Sequence, residues 1–131
     1  MSKEIRHVSE YLGHILQAIS RIEMYTSSMD SGSFMNNPMA QDAVLRNIEI
    51  IGEAARNIER HHPDTAVKHP EIPWEDIYLM RNRVTHGYFS VDLELVWKTL
   101  RGDIPELKRQ VAELLGQVGR QSDQGCLPKA Q

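Results

Sequence analysis

The chain has 131 residues, of which 40% are hydrophobic and 25% charged, the balance of a soluble globular protein with one domain and one core. No apolar run approaches the ~20 residues that span a bilayer. Residues 1–15 lack the apolar centre of a signal peptide, so a cytoplasmic protein without membrane contact is expected. The single cysteine, Cys126, excludes an intramolecular disulfide and argues against a thiolate metal cage. A net charge of −3 argues against a broad electrostatic grip on nucleic acid, so any phosphate-binding charge must be concentrated locally.

Apolar spacing predicts four helical segments and no strand. The first carries Ile5, Val8, Leu12, Ile15, Ile19 and Ile22 in steps of three and four, a seam suited to a helical bundle. His7 and His14 fall one position before seam residues, at the helix flank. Ser27 to Ser33 reads as a turn-rich loop. The second helix runs from about Pro38 to His61 with Val44, Ile48, Ile51, Ala55 and Ile58 inward. Gly52, Ala54 and Ala55 leave room for a neighbouring helix, and Glu53 on that face suits a hydrogen bond or an interhelical ion pair.

Pro63, Pro70 and Pro73 make the next stretch a loop, in which His61, His62 and His69 read as solvated residues, not metal ligands. The third helix begins at Pro73-Trp74-Glu75-Asp76, where proline and acids suit a first turn, and reaches about Tyr88. Ser90 or Asp92 then caps a fourth helix, whose apolar face runs from Leu93 through Trp97 to Val118. Gly102 and Pro105 predict a kink or short break within it. The expected domain is residues 1–118, an all-α bundle, with a flexible tail over 119–131.

The third helix also holds Arg81, Asn82, Arg83, His86 and Tyr88. RNA carries its own nucleophile, the 2′-hydroxyl. Cleavage therefore needs a base, charge stabilisation at the phosphate, and help for the leaving oxygen. His86 can exchange protons near neutrality, given an ordinary imidazole pKa of ~6.5. Arg81 supplies a permanent cationic fork. Asn82 can donate a hydrogen bond or orient the imidazole. No metal and no cofactor enters that scheme. The plainer account of an Arg, an Asn and a His on one amphipathic helix is a solvated face or a capped end, and spacing alone does not decide between them. At ~100° per residue Arg81 and His86 point ~140° apart, so one regular helix does not bring them together. A two-fold dimer packing this segment against itself does.

The ordered set DAVLRNIEIIGEAARNI, IPWEDIYLM and RNRVTHGYFSVDLELVW resembles the HepT-like branch of the HEPN superfamily over about residues 4–118. The resemblance implies an antiparallel helical bundle that forms a homodimer. It also implies a metal-independent endoribonuclease toxin in which Arg81 and His86 are the Arg-x4-His pair and Asn82 is its polar companion. Arg83 is a candidate substrate contact. The partner implied is a minimal (MNT-type) nucleotidyltransferase antitoxin of a type VII-like system. It would transfer AMP to Tyr88, adding bulk and negative charge beside the phosphate site, and it leaves room for a higher-order complex. A non-catalytic nucleotide- or partner-binding subunit is the alternative, favoured by the acidic balance and disfavoured by the intact motif.

Overall fold

The computed structural model describes the backbone of residues 2–86 and 91–130 and the side chains of residues 7–83 and 91–119. Every described element is a helix: α1 (Ser2–Thr26), α2 (Ser31–Met35), α3 (Pro38–His61), α4 (Pro63–Lys68), α5 (Trp74–His86), α6 (Leu93–Arg101) and α7 (Asp103–Ala130).

The seam foreseen on α1 is buried at Val8, Leu12, Ile15, Ile19 and Ile22. It meets the apolar stripe of α3, where Val44, Ile51, Ala55 and Ile58 are fully enclosed. The start of α1 lies beside the end of α3, with the His7 and His62 rings 6.4 Å apart. The end of α1 lies beside the early part of α7, where Lys108 Nζ donates to Glu23 at 3.0 Å. α5 packs along α3, and these two contacts with α1 and α5 make α3 the central helix of the unit.

Two short helices interrupt stretches expected to be loops. Asp30 caps α2 by accepting from the Ser33 amide at 2.8 Å, while the Asp30 amide donates to the Ser33 hydroxyl at 3.0 Å, a reciprocal box. One turn later Phe34 is fully buried against Trp97, with ring centroids 5.2 Å apart. α4 starts at Pro63, where a missing N–H costs nothing because the first amides of a helix lack partners anyway.

The same rule explains Pro105. The expected discontinuity is a helix end at Gly102 followed by a new start at Asp103, which leaves Pro105 in a first turn, where it disrupts nothing. Asp92, one of the two caps foreseen, accepts from the amides of Glu94 and Leu95 at 3.1 and 3.2 Å. The other, Ser90, lies outside the described residues. On α7 Ile104, Leu107, Val111, Leu114 and Val118 are buried, the side chains after residue 119 lie outside the described residues, and the helical backbone continues to Ala130. Among the described residues no helix is long and apolar enough to cross a membrane.

Candidate functional site

Pro73 ends the loop and supplies the carbonyl that accepts the first bond of α5, from the Ile77 amide at 3.0 Å. It therefore stands just before the helix and not inside its first turn. Trp74 pins this end: its side chain is buried and its Nε1 donates to the His69 carbonyl at 3.1 Å. From Ile77 to Arg81 the helix lies against α3 at Gly52. A Cβ built at position 52 would overlap the Arg81 Cβ, stand 2.7 Å from its Cγ and 3.3 Å from the Ile77 carbonyl. The room that the small residues of α3 were expected to leave is thus filled by the stem of Arg81.

The Arg81 side chain is only 22% exposed, and beyond that stem its guanidinium is held on two sides. Its Nη2 meets Glu53 Oε2 at 3.1 Å, and its Nη1 donates to Asn82 Oδ1 at 3.1 Å. The Nε is buried and has no partner among the described residues. Glu53 is thereby the interhelical ion pair foreseen for it, and it remains 58% exposed. The ring of Tyr78, one turn before Arg81, stands 6.0 Å from the Arg81 guanidinium carbon and 4.7 Å from that of Arg56 on α3. Sequence reasoning had not singled out Tyr78 or Arg56. Both lie in the blocks that carry the resemblance, but their i−3 and i+4 offsets from Arg81 and Gly52 become legible only once the helix contact is known.

Asn82 is half-buried and Arg83 is exposed. His86 ends the helical backbone of α5, but its side chain lies outside the described residues, as does the whole of Tyr88. The structure therefore joins Arg81 to Asn82 and adds Glu53, and it does not place the imidazole or the phenol.

The histidines before α5 are less solvated than expected. His62 is half-buried against the rings of His7 and Tyr11, and His69 Nδ1 lies 3.4 Å from Glu71 Oε2. Only His61 is exposed.

Two concavities adjoin α3. One, of about 310 Å³, is mainly apolar, walled by Ile48, Ile51, Ile77 and Leu107, and edged by Asp76, Asp103 and Glu106. Its acidic edge disfavours a phosphate, and Arg81 does not line it. The other, of about 400 Å³, is polar and includes Arg81 and Glu53 in its wall. It is the concavity where a phosphodiester can meet a cation.

Comparison with known proteins bears on the same segment. A family model described as Ribonuclease HepT-like matches residues 15–114. A protein of Thermococcus cleftensis named "Probable ribonuclease HepT" is 41% identical over 109 residues, covering 83% of this chain and 96% of the relative. A "Putative RNase" of Methanocaldococcus jannaschii is 39% identical over 111 residues, covering 85% and 97% respectively. A third relative, from the same organism, is named "Gamma-glutamylcyclotransferase and putative RNase". It is 37% identical over 115 residues; 88% of this chain is covered, but the chain spans only half the length of that relative. No solved structure gives a significant match. The matched region contains the Gly52–Arg81 contact, the Glu53 ion pair and the whole of α5, and by that match the chain belongs to the Ribonuclease HepT-like family.

Proposed function

We propose that the protein is a metal-independent endoribonuclease, the toxin of a toxin–antitoxin pair. It would act as a homodimer of antiparallel helical bundles, with Arg81 and His86 working across a cleft shared by two chains. The observation that carries this reading is the anchoring of Arg81. Its stem is wedged on Gly52 and its two terminal nitrogens are engaged by Glu53 and Asn82. A fixed guanidinium stabilises charge developing on a phosphorane without reorganising during the reaction. The family membership and the names of the relatives support RNA as substrate.

The helical backbone of α5 supports the two-chain cleft. On a regular helix Arg81 and His86 diverge by ~140°, so a second chain is the simplest source of the opposing group. Leu79, 42% exposed and one turn before exposed Arg83, offers apolar surface on the same helix. In this scheme His86 moves the proton of the 2′-hydroxyl, Arg81 and Asn82 hold the phosphate, and Arg83 contacts the strand. Silencing would come from an adjacent nucleotidyltransferase that forms a bond between the Tyr88 oxygen and the α-phosphorus of ATP, releasing pyrophosphate. The attached phosphate would then repel and occlude substrate.

The protein is expected to cut RNA in the presence of a chelator, and His86→Ala to abolish cutting with the dimer intact by sedimentation. Cleavage unaffected by the substitution, or no cleavage of any RNA class by unmodified protein, would overturn the reading. Co-expression with the nucleotidyltransferase is expected to add AMP units to the intact mass, and Tyr88→Phe to remove the addition.

A second reading draws on one observation: Arg81 already has a carboxylate partner, which suits a subunit that binds a nucleotide or its partner without turnover. Bound nucleotide with no cleavage under the same assay would support it.

A further inference from the structure

The polar concavity extends well beyond Arg81. It is bounded by His14 on α1 and by Arg46, Ile50, Glu53 and Asn57 on α3. Those α3 positions recur in steps of four, three and four, so they form one stripe along a single face. At 1.5 Å per residue the stripe is ~16 Å long. Arg81 meets it at Glu53, one turn from Asn57.

The charges of this groove are already matched. Arg46 Nη1 lies 3.7 Å from Glu49 Oε2 and Arg81 Nη2 lies 3.1 Å from Glu53 Oε2. A groove whose cations each have a carboxylate is poorly suited to a run of phosphates, and well suited to a neutral group beside one phosphate. Its middle offers apolar and amide surface instead. Ile50 is half-buried in the wall and Ala54 is buried behind it. Asn57 is half-buried and makes no hydrogen bond to any described residue, so its carboxamide keeps both a donor and an acceptor for a ligand. The His14 ring is exposed and lies edge-on to Tyr11, with centroids 6.4 Å apart and planes at 74°. That leaves a flat aromatic surface at the groove, of the kind on which unpaired RNA bases stack.

We propose that this groove between α1 and α3 is a nucleobase subsite: Asn57 reads the base of the nucleotide whose phosphate meets Arg81, and His14 provides its stacking surface. The base that fits is adenine, whose N6 amino donor and N7 acceptor complement the oxygen and nitrogen of one carboxamide. Glu53, which holds the Arg81 guanidinium, stands one turn from Asn57, ~5.4 Å along α3, and that offset matches the reach from phosphate to base within a single nucleotide. The inference rests on the ribonuclease reading for its substrate, and it assigns that enzyme a preference for adenosine at the cleavage site.

The test uses the whole protein and short 2′-O-methyl oligonucleotides, whose blocked 2′-oxygen prevents cleavage, so binding is read whether or not the chain is an active nuclease. Anisotropy is expected to show an oligo(A) strand binding about tenfold more tightly than oligo(U), a discrimination within the range of one bidentate base contact. Asn57→Ala is expected to erase that ratio with a helical circular-dichroism spectrum unchanged, and His14→Ala to weaken both strands. An A/U ratio near one in the parent protein, a ratio unaltered by Asn57→Ala, or no binding of either strand would overturn the subsite. A protein that cuts no RNA yet keeps an Asn57-dependent preference for oligo(A) would refute the nuclease reading and leave the subsite standing.

Discussion

Gly52 and Arg81 occupy each other's space: the hydrogen of one stands where any larger side chain would collide with the β- and γ-carbons of the other. This contact fixes how deeply α5 sits against α3 and which way the Arg81 stem leaves the helix. Gly52→Ala is expected to destabilise the fold by about 1–3 kcal/mol through overpacking, offset in part by the ~1 kcal/mol that alanine gains over glycine in a helix. Urea denaturation measures the net loss. RNA cleavage assayed well below the unfolding midpoint is expected to fall further than the lost folded fraction explains, because the displaced stem carries the guanidinium with it.

Glu53 restrains the same guanidinium from its polar end. The Glu53 side chain is 58% exposed, so Glu53→Gln is expected to change stability by less than ~1 kcal/mol, as exposed ion pairs do. Its effect on catalysis is expected to be divided. KM for RNA falls because phosphate no longer competes with a carboxylate, and kcat falls because Arg81 loses a fixed orientation. Steady-state kinetics of the two proteins separate these; an unchanged kcat, or a KM that rises, contradicts the assigned role. Arg81→Lys keeps the charge but not the two-pronged contact, and is expected to lower kcat roughly 10²- to 10³-fold.

Phe34 ties a five-residue helix to the core. Its side chain is fully enclosed and stacks at 5.2 Å on Trp97. Phe34→Ala is expected to cost about 3–5 kcal/mol. Trp97 fluorescence is expected to change with it, since the ring loses its neighbour. A loss under ~1 kcal/mol by urea titration would show that α2 is peripheral.

The cap of that helix carries a pH signature. The Ser33 amide donates to Asp30, and together with the Ser33 hydroxyl it holds the carboxyl below its ordinary value of 3.8. The folded-state value is thus lower than the unfolded one. The contribution of the cap is fully present above about 3.8 and is lost as pH falls through the depressed value. A carbon-detected NMR titration is expected to show Asp30 titrating below a free aspartate, and Ser33→Ala to bring it back towards the free value.

Much of this was legible in the residue order, for reasons that differ by element. α3 is readable because Pro38 opens it and its apolar stripe persists over about four turns from Val44 to Ile58, so local signals and burial agree. Asp92 is readable because a cap is a local event. α2 and α4 were hidden inside stretches rich in Ser, Gly, Pro and His. A helix of five or six residues has too few positions to display a period, and a capping box or an opening proline decides it instead. At the site, Arg81 and Asn82 were visible as chemistry, and Glu53 as half of an ion pair. The other half was invisible because 28 positions separate Glu53 from Arg81, and only the α3–α5 contact joins them. Tyr78, Arg56 and Asn57 lie inside the blocks that carry the family resemblance, yet no spacing there marks them out; each gains meaning from what packs opposite it. Near residue 119, where the apolar spacing fades, the helical backbone runs on to Ala130.

The joint at Gly102 separates two bodies that the sequence writes as one line. Before it, α6 turns Trp97 towards Phe34; after it, α7 turns Lys108 towards Glu23. Inside either helix an added residue would rotate everything beyond it by ~100° and swing buried side chains into solvent. At Gly102 the chain has already stopped being a helix, so there the register of one half is independent of the other. An added residue at this joint is therefore expected to disturb buried side chains less than one inside either helix.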